Sequence, residues 1–258
     1  MKRFATFLAA LALICVAAPA RAQQSALPAR LEALVSQGNA EAAYHLGMLY
    51  HLGLEGVAVD HRRALDLFRR SAEGGDPLGA YKLGCYYAGQ GGDALAPDEA
   101  LALRYKLIAA EAGYLLAQAD VAAIYSHRGD RDQALRWYEA AARQGDWTAL
   151  FMAFFQVMPG SQHPDRARAW LYFGVMERAL AHPPPDLPAD EMRELRDARA
   201  QMRQLVETGL SAADRAEGER LLAAWRVERS PVTLRNDRGL NAARRLVGLP
   251  ERTAGNSG

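Results

Sequence analysis

Histidine, cysteine, serine and acidic side chains could carry chemistry in this chain, and their spacing decides which reactions are open to them. The six histidines are His45, His51, His61, His127, His163 and His182. None pairs with another four residues on beside a carboxylate, the pattern that holds zinc on one helix face. Ser126-His127 and Ser161 with His163 are neighbours in sequence only and lack an acid to orient the imidazole. No G-x-S-x-G elbow, S-x-x-K or H-E-x-x-H motif occurs. The reading is therefore a non-enzyme without a cofactor and without a metal site.

The first residues look like an export leader. Lys2 and Arg3 precede the apolar run Phe4 to Ala18, and Ala20-Arg21-Ala22 fits small-x-small before cleavage. Residues 1–22 are read as a secretory signal, with the mature chain starting at Gln23 in the periplasm. The run is too short to remain as a spanning helix, so stable membrane insertion is not expected. Cys15 follows Leu13-Ile14 and lacks the small residue that precedes a lipidated cysteine. Cys85 alone then remains, so no internal disulfide is expected. With 31 basic and 30 acidic residues the net charge is +1, which gives no electrostatic footprint for nucleic acid.

The elements that hold these residues repeat. One copy reads Ala42, Leu46, Gly47, Tyr50, then Asp60, Ala64, Phe68, Ala72, Gly75. A second reads Gly79, Leu83, Gly84, Tyr87, then Asp98, Ala102, Tyr105, Ala109, Gly113. A third reads Ala117, Val121, Ala122, Tyr125, then Asp130, Ala134, Tyr138, Ala141, Gly145. Leu46 to Leu83 is 37 residues and Leu83 to Val121 is 38. A period of that length with two helical halves marks stacked helix hairpins. Asp60, Asp98 and Asp130 are placed to cap the second helices, and Gly75, Gly113 and Gly145 to end them in a left-handed turn. Gly84 should admit a close helix approach. Gly91 sits in a loop, where a side chain should cost little. A degenerate fourth copy shows Ala149, Ala153, Ala167, Trp170 and Tyr172.

Residues Ala42 to Gly75, with Gly56, Val57 and Asp60 in the loop, resemble the Sel1-like repeat, a relative of the tetratricopeptide repeat with a longer hairpin loop. The second copy lacks the Gly-Val step and the third has a tetratricopeptide-like short turn. The resemblance covers residues 27–180 and implies an all-α, right-handed α-solenoid acting as a protein-interaction scaffold, here an exported bacterial member. Nothing here matches the cysteine-rich branch of that family, which is linked to β-lactam hydrolysis.

Pro183 to Pro185 should end the solenoid. Residues 186–229 are read as C-terminal capping helices, with Ser211 and Asp214 opening the second, and 230–258 as a mostly irregular tail in which Gly239 to Gly248 could form a short basic helix.

In tetratricopeptide-type hairpins the first helices line the concave face. The repeat register assigns Tyr44, Met48, Tyr81, Cys85, Phe151 and Phe155 to that face as candidate partner-binding residues. The strip is apolar, which suits an apolar protein or peptide segment. The alternative, that the C-terminal helices fold back and fill the groove, stays open. Two other functions also stay open: an immunity-type inhibitor of a secreted effector, and a cell-wall or β-lactam hydrolase.

Overall fold

A computed structural model describes residues 25–181 and 188–252. Residues 1–22, read above as a leader, and Pro183 to Pro185 lie outside the described residues. Helix α1 (Ala26–Ser36) precedes four hairpins. They are α2 (Ala40–Leu52) with α3 (His61–Glu73), α4 (Pro77–Cys85) with α5 (Glu99–Glu111), α6 (Leu115–His127) with α7 (Arg131–Ala142), and α8 (Trp147–Val157) with α9 (Arg166–Ala179). Then come α10 (Ala189–Glu207), α11 (Ala212–Ala224), α12 (Pro231–Asp237) and α13 (Leu240–Leu246). From α1 to α9 each helix packs on the next, and the hairpins stack as a right-handed α-solenoid.

Two signature residues close each of the first three hairpins. The backbone N–H of Asp60 donates to the carbonyl of Tyr50 at 2.9 Å, Asp98 to Tyr87 at 2.8 Å, and Asp130 to Tyr125 at 2.9 Å. Loops of different length thus end on one hydrogen bond, which keeps the helix pairs in the same register. Each aspartate then caps the second helix, accepting from the N–H of Arg63, Leu101 or Gln133. Gly75, Gly113 and Gly145 take φ of 86°, 88° and 93°, the left-handed turn that joins one hairpin to the next. At Gly84 an added Cβ would stand 3.0 Å from the Ala102 carbonyl, so only glycine lets α4 approach α5 this closely.

The fourth hairpin keeps the same rules in a shifted register. Asp165 caps α9 through the N–H of Arg168 at 2.9 Å and bonds back to Val157. Ala169, four residues after that cap, is the buried equivalent of Ala64, Ala102 and Ala134, whereas Ala167 is only half-buried. Helices α10 and α11 cover the outer side of α9. Gly218 brings α11 within 2.7 Å (for a Cβ) of the Ala167 carbonyl, and Glu177 receives Arg199 at 2.7 Å and Arg203 at 2.6 Å. The segment after residue 230, expected to be mostly irregular, carries α12 and α13. Ser230 accepts from the Thr233 N–H and Pro231 opens the first turn, which is enough to start a short helix without periodicity.

Candidate functional site

The six residues assigned to the concave face fall into three environments. Tyr44 is buried and donates its hydroxyl to Asn236 at 3.4 Å. Met48 lines a cavity of about 320 Å³ with Leu52, Leu54, Leu240 and Ala243. Both lie beneath the C-terminal segment. Tyr81 is half-buried, sits edge-on to Tyr114 at 4.9 Å and donates to Asp120 at 3.2 Å. Lys106 holds the same Asp120 oxygen at 2.7 Å. Cys85 is 1% exposed, and burial pushes its thiol pKa up, so it is a packed thiol between repeats two and three. Only Phe151 and Phe155 face solvent, at 37% and 51% exposure, with Trp147 and Met152 beside them at 48% and 40%.

The six therefore do not form one continuous strip. Tyr81 and Cys85 are covered by the next repeat, and Tyr44 and Met48 by the chain beyond α11, which the register could not place. Trp225 packs edge-on to Tyr172 under the Arg143 guanidinium, 4.2 Å from its ring. Glu228 N–H donates to the Arg143 carbonyl at 2.8 Å. The Ser230 hydroxyl donates to the Gly113 carbonyl at 2.7 Å. Thr233 donates to Gln144 Oε1 at 2.8 Å and accepts from the Leu115 N–H at 3.0 Å. Arg235 meets Asp76 at 2.7 Å and Glu41 at 3.4 Å. Ala243 joins the first core layer of Leu27, Leu31, Ala42 and Leu46, and Arg30 donates to the Val247 carbonyl at 3.0 Å. Residues 225–252 thus form a strap that walks the repeats in reverse order, along the turns between hairpins and then across α2.

One contact repairs a gap in the repeat. Asp76 and Asp146 cap α4 and α8 with their side chains, but α6 starts after Tyr114, which has no capping oxygen. Thr233 supplies it. The substitution of Tyr for Asp at this one turn was the visible sign in the sequence. Gln144 completes the joint: its amide nitrogen donates to Gly113 at 2.7 Å and Gln118 at 2.8 Å, and its oxygen accepts from Ser230 N–H and Thr233.

Two histidines that are ten residues apart also meet. The Tyr86 hydroxyl lies 2.9 Å from His51 Nδ1 and 3.3 Å from His61 Nδ1, donating to one ring and accepting from the other. Burial raises the Tyr86 pKa to about 12 and lowers that of His51, so this joint holds a neutral phenol.

The Sel1 repeat model matches residues 40–76, 77–114 and 116–146. The chain is similar to the ERAD-associated E3 ubiquitin-protein ligase component HRD3A of Arabidopsis thaliana, 40% identical over 58 residues, 22% of this chain and 9% of that protein. It is also similar to chitin synthase regulatory factor 4 of Schizosaccharomyces pombe, 29% identical over 113 residues, 44% of this chain and 18% of that one. The matches thus span less than a fifth of either curated relative. Among solved structures, a Sel1 repeat protein of Oxalobacter formigenes aligns at 26% identity and a TM-score of 0.48, covering 56% of this chain and 58% of that one. A protective antigen of uropathogenic Escherichia coli with an SLR fold aligns at 21% identity and a TM-score of 0.48, covering 90% and 53%.

Proposed function

We infer, from three consecutive segments that match the Sel1 repeat model, that this chain is a non-catalytic scaffold holding a protein partner on the open end of its concave face. Sel1 repeat proteins are in general protein-interaction adaptors. The observation that carries the reading is the stripe Trp147, Phe151 and Phe155, spaced four apart on one face of α8 and all exposed. Aromatic residues gathered on an accessible face are the usual anchors of an interface, and a soluble monomer rarely shows such a patch without use. The complementary partner surface is apolar. The two curated relatives are named as a component and as a regulatory factor, which agrees with a scaffold. The leader-like residues Lys2 to Ala22 support action in a bacterial periplasm.

Cross-linking capture from periplasm, with the wild-type chain and the double variant Phe151→Ala, Phe155→Ala, tests this. The wild type should retain a partner that the variant loses, with both melting alike. A stable variant that captures the same partner rejects the α8 face. Intact-mass measurement of the exported chain should give a start at Gln23 without a lipid.

A further inference from the structure

The acids on the first two repeats face cations that come from the strap. Glu41 and Asp76 meet Arg235, while Glu55 meets Arg244 at 3.9 Å and Arg252 at 3.1 Å. The side chains of Asp76 and Glu55 are 3% and 1% exposed. Among the described residues no lysine or arginine of the repeats lies within ion-pair distance of these three acids, and His45, 3.5 Å from Glu41, is the one basic neighbour the repeats supply. A buried carboxylate without a cation is costly. The repeats have therefore built a face that is completed only by arginine from elsewhere.

That face has an order. A hydroxyl is wanted at the uncapped start of α6, where Thr233 accepts from Leu115 N–H. An arginine is wanted two residues on, at Asp76 and Glu41, and further arginines at Glu55. The strap that meets these demands is anchored at Thr233 and Ala243, 3% and 1% exposed, and is looser before and between them. Its two helices have seven residues each, too short to persist alone. Val227 and Leu234 stand 60% and 44% exposed. The Glu55 contacts are ion pairs without hydrogen-bond alignment, since Glu55 Oε1 has no hydrogen-bond partner.

We propose that Glu41, Asp76 and Glu55, with the uncapped start of α6, form a binding track for an arginine-bearing peptide segment of a partner protein, and that residues 226–252 are a tethered occupant which such a segment displaces. Tethering gives the strap an effective concentration on the order of millimolar. A free segment making the same contacts then binds with an affinity reduced by the fraction of chains whose strap is open. The three acids lie on the first two repeats and Phe151 and Phe155 on α8, so the two sites can be altered separately.

The test uses full-length chains and a fluorescent synthetic peptide of residues 226–252. In the triple variant Arg235→Glu, Arg244→Glu, Arg252→Glu the strap is repelled from its acids. This variant should bind the peptide at least about tenfold more tightly than the wild type does, with affinity falling as salt rises from low to high. A peptide with alanine at the three arginine positions should not bind. A folded variant that ignores the peptide overturns the proposal, as does equal binding of the alanine peptide. A wild-type chain that sediments as a dimer through exchanged straps overturns the external partner. If the triple variant loses its helical signal, hydrogen exchange on the wild type decides. Strap amides exchanging far faster than those of α2 and α3 support displacement, and exchange in step with α2 and α3 overturns it.

Discussion

The Nη2 of Arg235 lies 2.7 Å from Oδ1 of Asp76, a contact that spans 159 residues of chain. The same oxygen accepts from the N–H groups of Leu78 and Gly79 at 2.8 and 3.2 Å. One buried carboxylate therefore caps α4 and clasps the strap. The positive end of the helix and the guanidinium together make its burial tolerable.

Asp76→Ala removes both roles and should cost about 2–3 kcal/mol, since a lost cap alone is worth about 1 kcal/mol and the clasp adds to it. Asp76→Asn keeps the cap and should cost about half as much. Urea melts of the two variants check the order. Equal losses would mean that the cap contributes nothing here.

Acid should weaken the chain in two steps. Burial, Lys82 and His61 hold the His51 pKa below its ordinary 6.5. The unfolded chain then binds that proton more readily, so stability is full above pH about 6.5 and falls as pH drops below it. The His45 imidazole 3.5 Å away, with Arg235 beside it, holds Glu41 below its ordinary 4.5. Its contribution is present above pH 4.5 and is lost as pH falls through the depressed value. Melting temperature against pH should show both limbs. His51→Gln should flatten the upper one and Glu41→Gln the lower.

Tyr81 and Phe151 hold equivalent repeat positions, yet their truncations should differ. Tyr81→Ala removes an edge-on ring contact and the hydroxyl on Asp120, and should cost about 2–4 kcal/mol. Phe151→Ala removes an exposed ring and should stay within about 0.5 kcal/mol. Thermal melts of the two single variants decide. Equal losses would place Phe151 in the core.

The difference between those two positions marks how far sequence could reach. The Asp caps and the turn glycines act within one repeat, so their spacing announced them. Exposure depends on what lies next in the stack. Helix α4 is followed by α6, which buries Tyr81 against Tyr114, but α10 and α11 pack on α9 and leave the α8 face open. Gly91 misled for a similar reason. It sits in a loop, yet the Tyr86 ring lies directly against it, so a side chain there would collide with the joint that holds His51 and His61. The strap was illegible because its partners are far apart in sequence: Ser230 with Gln144 across 86 residues, Thr233 with Leu115 across 118. Such contacts leave no period. Only Tyr114, standing where the other turns have Asp, hinted that a cap would come from outside.

Gln144 is where the strap and the repeats share one amide, and it gives the sharpest test of that joint. The residue is 6% exposed, and both of its donors and both of its acceptor directions are used. Gln144→Leu keeps the volume but strands the Gln118 oxygen and the Ser230 N–H, while the Gly113 carbonyl keeps its bond from the Ser230 hydroxyl. Each buried polar group left without a partner costs about 1–3 kcal/mol. The Ser230 bond that Gly113 keeps limits the loss, so a net cost of about 2–3 kcal/mol is expected. Gln144→Glu is the discriminating partner. It can still accept from Ser230 and Thr233 but can no longer donate to Gly113 and Gln118, and its charge faces two oxygens. It should therefore lose at least as much as the leucine variant near neutral pH and recover as acid protonates the new carboxyl, a pH dependence Gln144→Leu cannot show. Hydrogen exchange at residues 228–233 should rise in both. A glutamate variant as stable as wild type would mean that the amide's donors contribute nothing to the joint.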